Sequence, residues 1–402
     1  MDLYTLTNIE EGQKLLKESY DNIKRKVELR KINEALGFVL AEDIFARESL
    51  PQFSRSTVDG YAVLSENTYG GSSSLGIPLK IAGEIPIGVE SKAVLKNQEC
   101  FEVVTGSMLP EGSDSVVMVE HTEKLSGDEI LVYRGLHEYE NLILKGEDVR
   151  VNELLFKKGH RLRFQDIALL GALGMDFIQV ESSLRVGIIS TGDEIVPVSK
   201  KKLKIGEIRD INGPLILNRL RAIRGVEAVD LGIIKDNKNA LEQGVIESLR
   251  KTDVLLMSGG SSIGAKDYAL GIIESLGHSL FHGLPMRPGK PTIGGIIDGK
   301  LVMGLPGQPL SCYFVYEKML APLFICGEYI VKASVKGTLQ RNIASVSGRL
   351  DFAPVNYDNG KVTPIFGKSG LLSPLGKGNG YIEIPFLKEG LLADSDVDVY
   401  LF

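Results

Sequence analysis

Apolar and polar positions alternate in three different ways along this chain. In residues 8–35, Leu15, Leu16, Ile23, Val27 and Leu36 recur at roughly helical spacing, which predicts a helical segment. Residues 75–140 instead carry short β-prone runs, Leu79–Ala82, Cys100–Val104, Val116–Glu120 and Ile130–Tyr133, separated by Gly, Pro and Ser turns. Helical spacing returns at Phe164–Leu173. A β-rich module bracketed in this way reads as an insertion into a domain that residues near 143–180 complete. From Arg185 onward, apolar strands (Val186–Ile189, Val229–Ile234, Val254–Met257, Leu301–Met303) alternate with helices at about 213–224, 239–250, 267–276 and 308–324. Nearly continuous apolar strands of this kind indicate a doubly wound parallel sheet covered on both faces. Beyond Tyr329 the helices stop. Val331–Val335, Tyr381–Ile384 and Val397–Leu401 suggest a C-terminal β-barrel or sandwich.

Composition narrows the classes. The 402 residues predict two to four domains at about 150 residues each. With 43% apolar and 24% charged residues, disorder as the main character is excluded. No apolar run approaches the roughly 20 residues that span a bilayer. Met1–Lys17 mixes acidic and basic residues and lacks an apolar signal core, so a soluble, cytoplasmic protein without membrane partners is expected. A net charge of −6 argues against nucleic acid as a partner, and the basic cluster Lys200–Lys202 with Lys204 reads as a solvated loop. Cys100, Cys312 and Cys326 form no CxxC and read as structural thiols. The five histidines show no zinc-ligand spacing, which leaves a carboxylate site for a hard cation open.

Candidate chemistry gathers at the carboxyl ends of the sheet strands, where open α/β sheets bind ligands. Three Gly-rich loops lie there: Ser190-Thr191-Gly192-Asp193-Glu194, Ser258-Gly259-Gly260-Ser261-Ser262-Ile263-Gly264, and Gly304-Leu305-Pro306-Gly307-Gln308-Pro309. Glycines let backbone N–H groups turn toward an anion, and Pro309 suits a first helical turn. Walker A and dinucleotide fingerprints are both missing: Pro291 follows Lys290, and the run after Gly376-Lys377-Gly378 reads as strand. Arg287-Pro288-Gly289-Lys290-Pro291 places two cations in a stiff turn, where Arg suits an oxyanion and Lys acts as a point charge. Glu194, Asp236 and Asp267 are carboxylates on loops of the sheet region. Converging, they would repel one another and favour Mg²⁺.

The motifs in series resemble the molybdopterin molybdenumtransferase family, the MoeA proteins and the gephyrin E domain. The resemblance runs from Leu50-Pro51 and Ser56-Thr57-Val58-Asp59-Gly60-Tyr61-Ala62 through Thr105-Gly106, Pro110-Glu111-Gly112 and Gly146-Glu147-Asp148. It continues through the three loops, Asp267-Tyr268 and Pro288-Gly289-Lys290-Pro291. It implies four domains: a segmented N-terminal domain (1–48 and 143–182), an inserted β-rich domain (49–142), an α/β molybdopterin-binding domain (183–328) and a C-terminal β-barrel (329–402). It also implies a homodimer whose cleft draws on both chains, and Mg²⁺-dependent insertion of molybdate into adenylylated molybdopterin with release of AMP. Catalytic roles carry over to Asp59, Thr105, Asp148, Glu194 and Asp236. Substrate-binding roles carry over to Thr191, Gly192, Ser258, Gly259, Gly260, Asp267, Arg287, Lys290, Pro306, Gly307 and, as a weaker match, Ser369. Glu194, Asp236 and Asp267 would hold the metal. The upstream adenylyltransferase and cofactor-accepting apoenzymes are further partners it implies. Thr57-Val58 stands where the family often has Ala-Met, Arg287 where it often has Lys, and Gly283 where some members carry a lysine. Alternatives are a molybdopterin adenylyltransferase, a tungstate-inserting variant and a non-catalytic pterin-binding scaffold.

Overall fold

The computed structural model describes residues 6–125, 127–259, 268–327 and 332–402, with the Cys326 side chain left out. The chain forms two compact units. One comprises residues up to Glu28, Leu36–Phe38 and Glu181–Phe402, and the other comprises Leu29–Ala35 and Val39–Val180.

In the first unit, a six-stranded sheet runs in the order Val226–Ile234, Leu184–Thr191, Val254–Ser258, Lys300–Leu305, Ile293–Ile297, Gly277–His282. The first four strands, which correspond to the four apolar runs, are mutually parallel. The last two pair antiparallel at one edge, a mixed arrangement common in large α/β sheets. Successive side chains take opposite faces. Val186, Ile188, Val254 and Leu256 join one buried cluster with the helices Ile9–Asp21, Asn212–Arg221 and Pro309–Val315. Ile189, Leu255 and Met257 join a second cluster with Lys238–Leu249 and Tyr268–Leu276. Burial on both faces explains why these strands lack a polar phase in the sequence.

The N-terminal helical pattern is shorter than its spacing predicts. The helix covers Ile9–Asp21 and ends at Asn22, and Val27–Lys31 is a strand with alternating exposure. Ile23 and Val27 match helical spacing by coincidence, and the β-branched Val27 is 57% exposed on the strand. The predicted 308–324 helix is interrupted: Pro309–Val315 is α-helical, Tyr316–Leu320 is a π turn, and Ala321–Cys326 resumes the α-helix.

After residue 332, strands Val335–Leu339, Leu350–Asp358, Lys361–Pro364, Gly380–Ile384 and Asp396–Leu401 pair into a closed barrel. Its interior holds Val355, Val362, Ile382 and Val399. The strand Met286–Arg287 pairs in parallel with Leu350–Asp351, which ties the cation turn to the barrel.

In the second unit a six-stranded sheet, Ser115–Met118, Gly60–Val63, Glu99–Val103, Ile77–Ile85, Glu129–Val132 and Thr122–Lys124, contains all four predicted β runs. Arg55–Ser56 pairs with Leu142–Ile143 and Ile44–Phe45 with Leu154–Phe156, so the chain leaves and re-enters through paired segments. The helix Phe164–Ala172 follows. No helix of the described residues is long and apolar enough to cross a membrane.

Candidate functional site

A cleft of about 1790 Å³ in the first unit is lined by the ends of the parallel strands and by the barrel. Thr191, Gly192, Glu194, Asp236, Ser258, Gly259, Arg287, Lys290, Pro306, Gly307 and Ser369 all line it. Gly260 and Asp267 lie outside the described residues.

The three loops are stitched together at backbone distance. Gly259 has φ +103°, and a Cβ there would lie 2.4 Å from the Thr191 carbonyl oxygen. Its N–H donates to Leu305 O at 3.1 Å, and Thr191 Oγ1 donates to Ser258 O at 3.4 Å. Asn212 clamps the second loop to the third, because its Nδ2 donates to Ser258 Oγ at 2.7 Å and to Gly307 O at 2.8 Å. Ser190 Oγ donates to Asp210 Oδ2 at 2.7 Å, and Asp210 Oδ1 accepts the Gly213 N–H at 3.0 Å. Asp210 and Asn212 escape a reading by Gly-rich spacing. The available signal was Asp-x-Asn-Gly at the start of a helix, which by itself marks only a helix entry. The loop after Val226–Ile234 leans on the first loop through the Asp236 N–H, which donates to Asp193 Oδ1 at 3.3 Å. The helix cap there is Asn237, so Asp236 is not used as the cap.

The cation turn is equally built. Thr292 Oγ1 donates to Gly289 O at 2.7 Å, and Gly289 has φ +133° with Val315 Cγ2 2.7 Å from where a Cβ would sit. Arg287 Nη1 lies 3.7 Å from Asp351 Oδ2, a buried carboxylate that also accepts from Arg349 Nε and Ser345 Oγ, each at 2.8 Å. Arg349 and Lys368 line the same cleft, and nothing local in the sequence points to them because they arrive on barrel strands and loops. Ser369 Oγ donates to Gln308 Oε1, and Ser369 O accepts the Leu310 N–H at 3.2 Å. Cations therefore enter from the far edge of the sheet and from the barrel, while Glu194 and Asp236 follow the first two strands of the sheet order.

Cys312 packs under the second loop, where burial pushes its thiol up to about 12 despite a hydrogen bond with Ser258. It is a core residue, not a nucleophile.

Asp59, Thr105 and Asp148 belong to the second unit. Gly60 follows Asp59 because a Cβ there would lie 1.8 Å from the Val117 carbonyl oxygen. Asp59 Oδ1 accepts both the Thr105 N–H, at 2.7 Å, and the Thr105 hydroxyl, at 2.9 Å. Those donors, the backbone one first, hold the Asp59 carboxyl below its ordinary range. The two residues singled out 46 positions apart thus form one hydrogen-bonded pair. Asp148 is exposed, and its N–H donates to Leu50 O at 3.1 Å.

Two of the three expected metal ligands, Glu194 and Asp236, share the cleft. Among the described residues no group of three His, Cys, Asp or Glu side chains is placed to cage a metal. Two carboxylates on a roomy cleft suit Mg²⁺, which takes one or two of them with waters and substrate phosphate oxygens, and not a closed all-protein site.

Known proteins resemble the chain along its whole length. The family described as MoeA N-terminal region (domain I and II) matches residues 7–174. A probable molybdopterin binding domain matches residues 187–325, and the MoeA C-terminal region (domain IV) matches 336–402. A putative molybdopterin biosynthesis protein of Methanocaldococcus jannaschii is 35% identical over 391 residues, 95% of this chain and 94% of that protein. A molybdopterin molybdenumtransferase of Staphylococcus epidermidis is 31% identical over 405 residues, 96% of this chain and 95% of its own. The crystal structure of a molybdopterin biosynthesis MoeA protein from Pyrococcus horikoshii OT3 superposes with a TM-score of 0.83 at 31% identity, covering 99% of this chain and 100% of that one.

Proposed function

The chain belongs to the MoeA family of molybdenum cofactor biosynthesis, and from that premise we propose that it inserts molybdate into adenylylated molybdopterin and releases AMP. The observation that carries the proposal is a single cleft where three stitched glycine loops meet Arg287 and Lys290. Backbone N–H groups of the loops and the two cations bind and orient the phosphates, each charge-assisted hydrogen bond contributing roughly 1.5–3 kcal/mol. Water attacks the adenylyl phosphorus and the bond to the pterin phosphate breaks, so AMP carries the new oxygen and the pterin phosphate is the leaving group. The two dithiolene thiols then bond to molybdenum, and one molybdate oxygen departs with their protons as water. Glu194 and Asp236, with Asp267, are the residues that would hold Mg²⁺, which supplies charge neutralisation and polarises the phosphoryl oxygen. Asp59, held by Thr105 and supplied by the second chain of a homodimer, orients molybdate or the attacking water. As a bare anion it acts on molybdate only through a bridging cation or proton. Asp148 is the remaining candidate on that side.

The test mixes the protein with adenylylated molybdopterin, Mg²⁺ and either molybdate or tungstate, and quantifies AMP and metallated cofactor. AMP release matched by metallated cofactor with molybdate is the expected result. Metallation with tungstate alone moves the proposal to the tungsten variant, and no AMP with either oxyanion rejects it. Arg287→Ala should weaken nucleotide binding by roughly 1.5–3 kcal/mol in calorimetry; unchanged affinity contradicts the phosphate role.

A further inference from the structure

One wall of the cleft carries Phe366, an aromatic residue that packing leaves largely exposed. Phe366 is 62% exposed and lines the cavity, on the barrel loop that also brings Lys368 and Ser369 to it. Single exposed apolar side chains on an outer surface are ordinary. This one lines a cavity that also holds Arg287, Lys290, Arg349 and Lys368, and the backbone around it is pinned. The Ile365 N–H donates to Pro354 O at 2.8 Å, and the Leu371 N–H donates to Lys368 O at 2.9 Å. A Cβ on Gly367 would lie 2.7 Å from Pro374 Cγ, so the loop sits flush on that proline. Ser369 fastens the loop to the third glycine loop through Gln308 and the Leu310 N–H. The loop is therefore held at a set place beside the third glycine loop, and Phe366 on it stays largely exposed.

We propose that Phe366 is a substrate-binding residue whose face stacks on a planar heteroaromatic ring of the nucleotide substrate. The inference rests on the proposed function and adds to it the residue that reads the ring. A substrate with phosphates and a flat heterocycle makes two kinds of contact in this cleft. Phosphates take N–H groups and cations, and the ring takes a π-face, which tolerates many heterocycles because every one of them has such a face. Two rings qualify, the adenine of the adenylyl group and the pterin itself.

The experiment separates them. Calorimetry would measure binding of AMP and of a 6-hydroxymethylpterin to the unaltered protein, Phe366→Leu and Phe366→Tyr. Phe366→Leu keeps apolar bulk and loses the π-face, so affinity for the stacked ligand should fall about tenfold or more, while Phe366→Tyr should retain it. The chain has no tryptophan, so Phe366→Trp places a single fluorophore at the site, and the stacked ligand should quench it. Loss and quenching with AMP assign adenine, and with the pterin assign that ring. If the unaltered protein binds either ligand yet Phe366→Leu binds equally well and Phe366→Trp stays bright, the stacking role is overturned and the proposed function stands. If the unaltered protein binds neither, the stacking role is overturned, and the AMP-release assay decides the proposed function separately.

Discussion

A carboxylate is informative through the donors it collects. Asp59 collects two from Thr105 on the same oxygen, and asparagine could accept both in the same place while losing the charge. Asp59→Asn should therefore keep nucleotide binding and abolish metal insertion, measured by calorimetry and by metallated cofactor. Loss of nucleotide binding would reassign the residue to the substrate itself. Asp166 shows the structural use of the same group. Burial opposes its ionisation, but the Arg163 guanidinium, at 2.8 and 3.0 Å, and His160 Nε2, at 2.7 Å, overcome it and hold the carboxyl at about 2. Because the folded value is depressed, its contribution is complete above the ordinary range near 4 and is lost as pH falls from about 4 toward 2. Asp166→Asn should cost about 2–3 kcal/mol in urea unfolding at pH 7 and much less near pH 2. An equal cost at both pH values would remove the electrostatic explanation.

Glycine position separates element from site. Gly271 lies inside the helix Tyr268–Leu276 with nothing within 4 Å of a Cβ. Gly271→Ala should stabilise by about 0.5–1 kcal/mol. Gly259→Ala meets the Thr191 carbonyl oxygen at 2.4 Å in a left-handed conformation, so it should destabilise by about 2 kcal/mol or more and weaken AMP binding. Thermal melts of the two variants moving in the same direction would undo this distinction. Strand periodicity was legible because burial on both faces leaves long apolar runs. The last two strands of the sheet order, Ile293–Ile297 and the edge strand Gly277–His282, were not among the four strands read, because Gly294 and Gly295 and the polar His278 and Ser279 break the apolar run. Helical spacing misled at Ile23 and Val27, where a few coincident positions imitate a helix that ends at Asp21.

At the scale of the whole molecule, the proposed reaction requires both Asp59 and the glycine-loop cleft, and the family resemblance assigns them to different chains of a dimer. Light scattering should return the mass of two chains, and mixing Asp59→Asn with Arg287→Ala protein, at a nucleotide concentration too low to fill the weakened Arg287→Ala site, should restore part of the activity through heterodimers with one intact site. A fully active monomer contradicts the shared site.

The sequence alone determined the periodicities, and with them the layered α/β region, the β module and the strand-rich C-terminal region, because burial is written locally as period 2 or period 3.6. It also determined the loops, since glycine, proline and charge in a short span leave few conformations. Tertiary structure alone decided which of these meet. Asn212 stitching Ser258 to Gly307, Asp351 gathering Arg287 and Arg349, and Phe366 reaching the cleft join residues from about 2 to 95 positions apart. Most of these contacts depend on how sheet and barrel close on each other, and no local pattern encodes that distance.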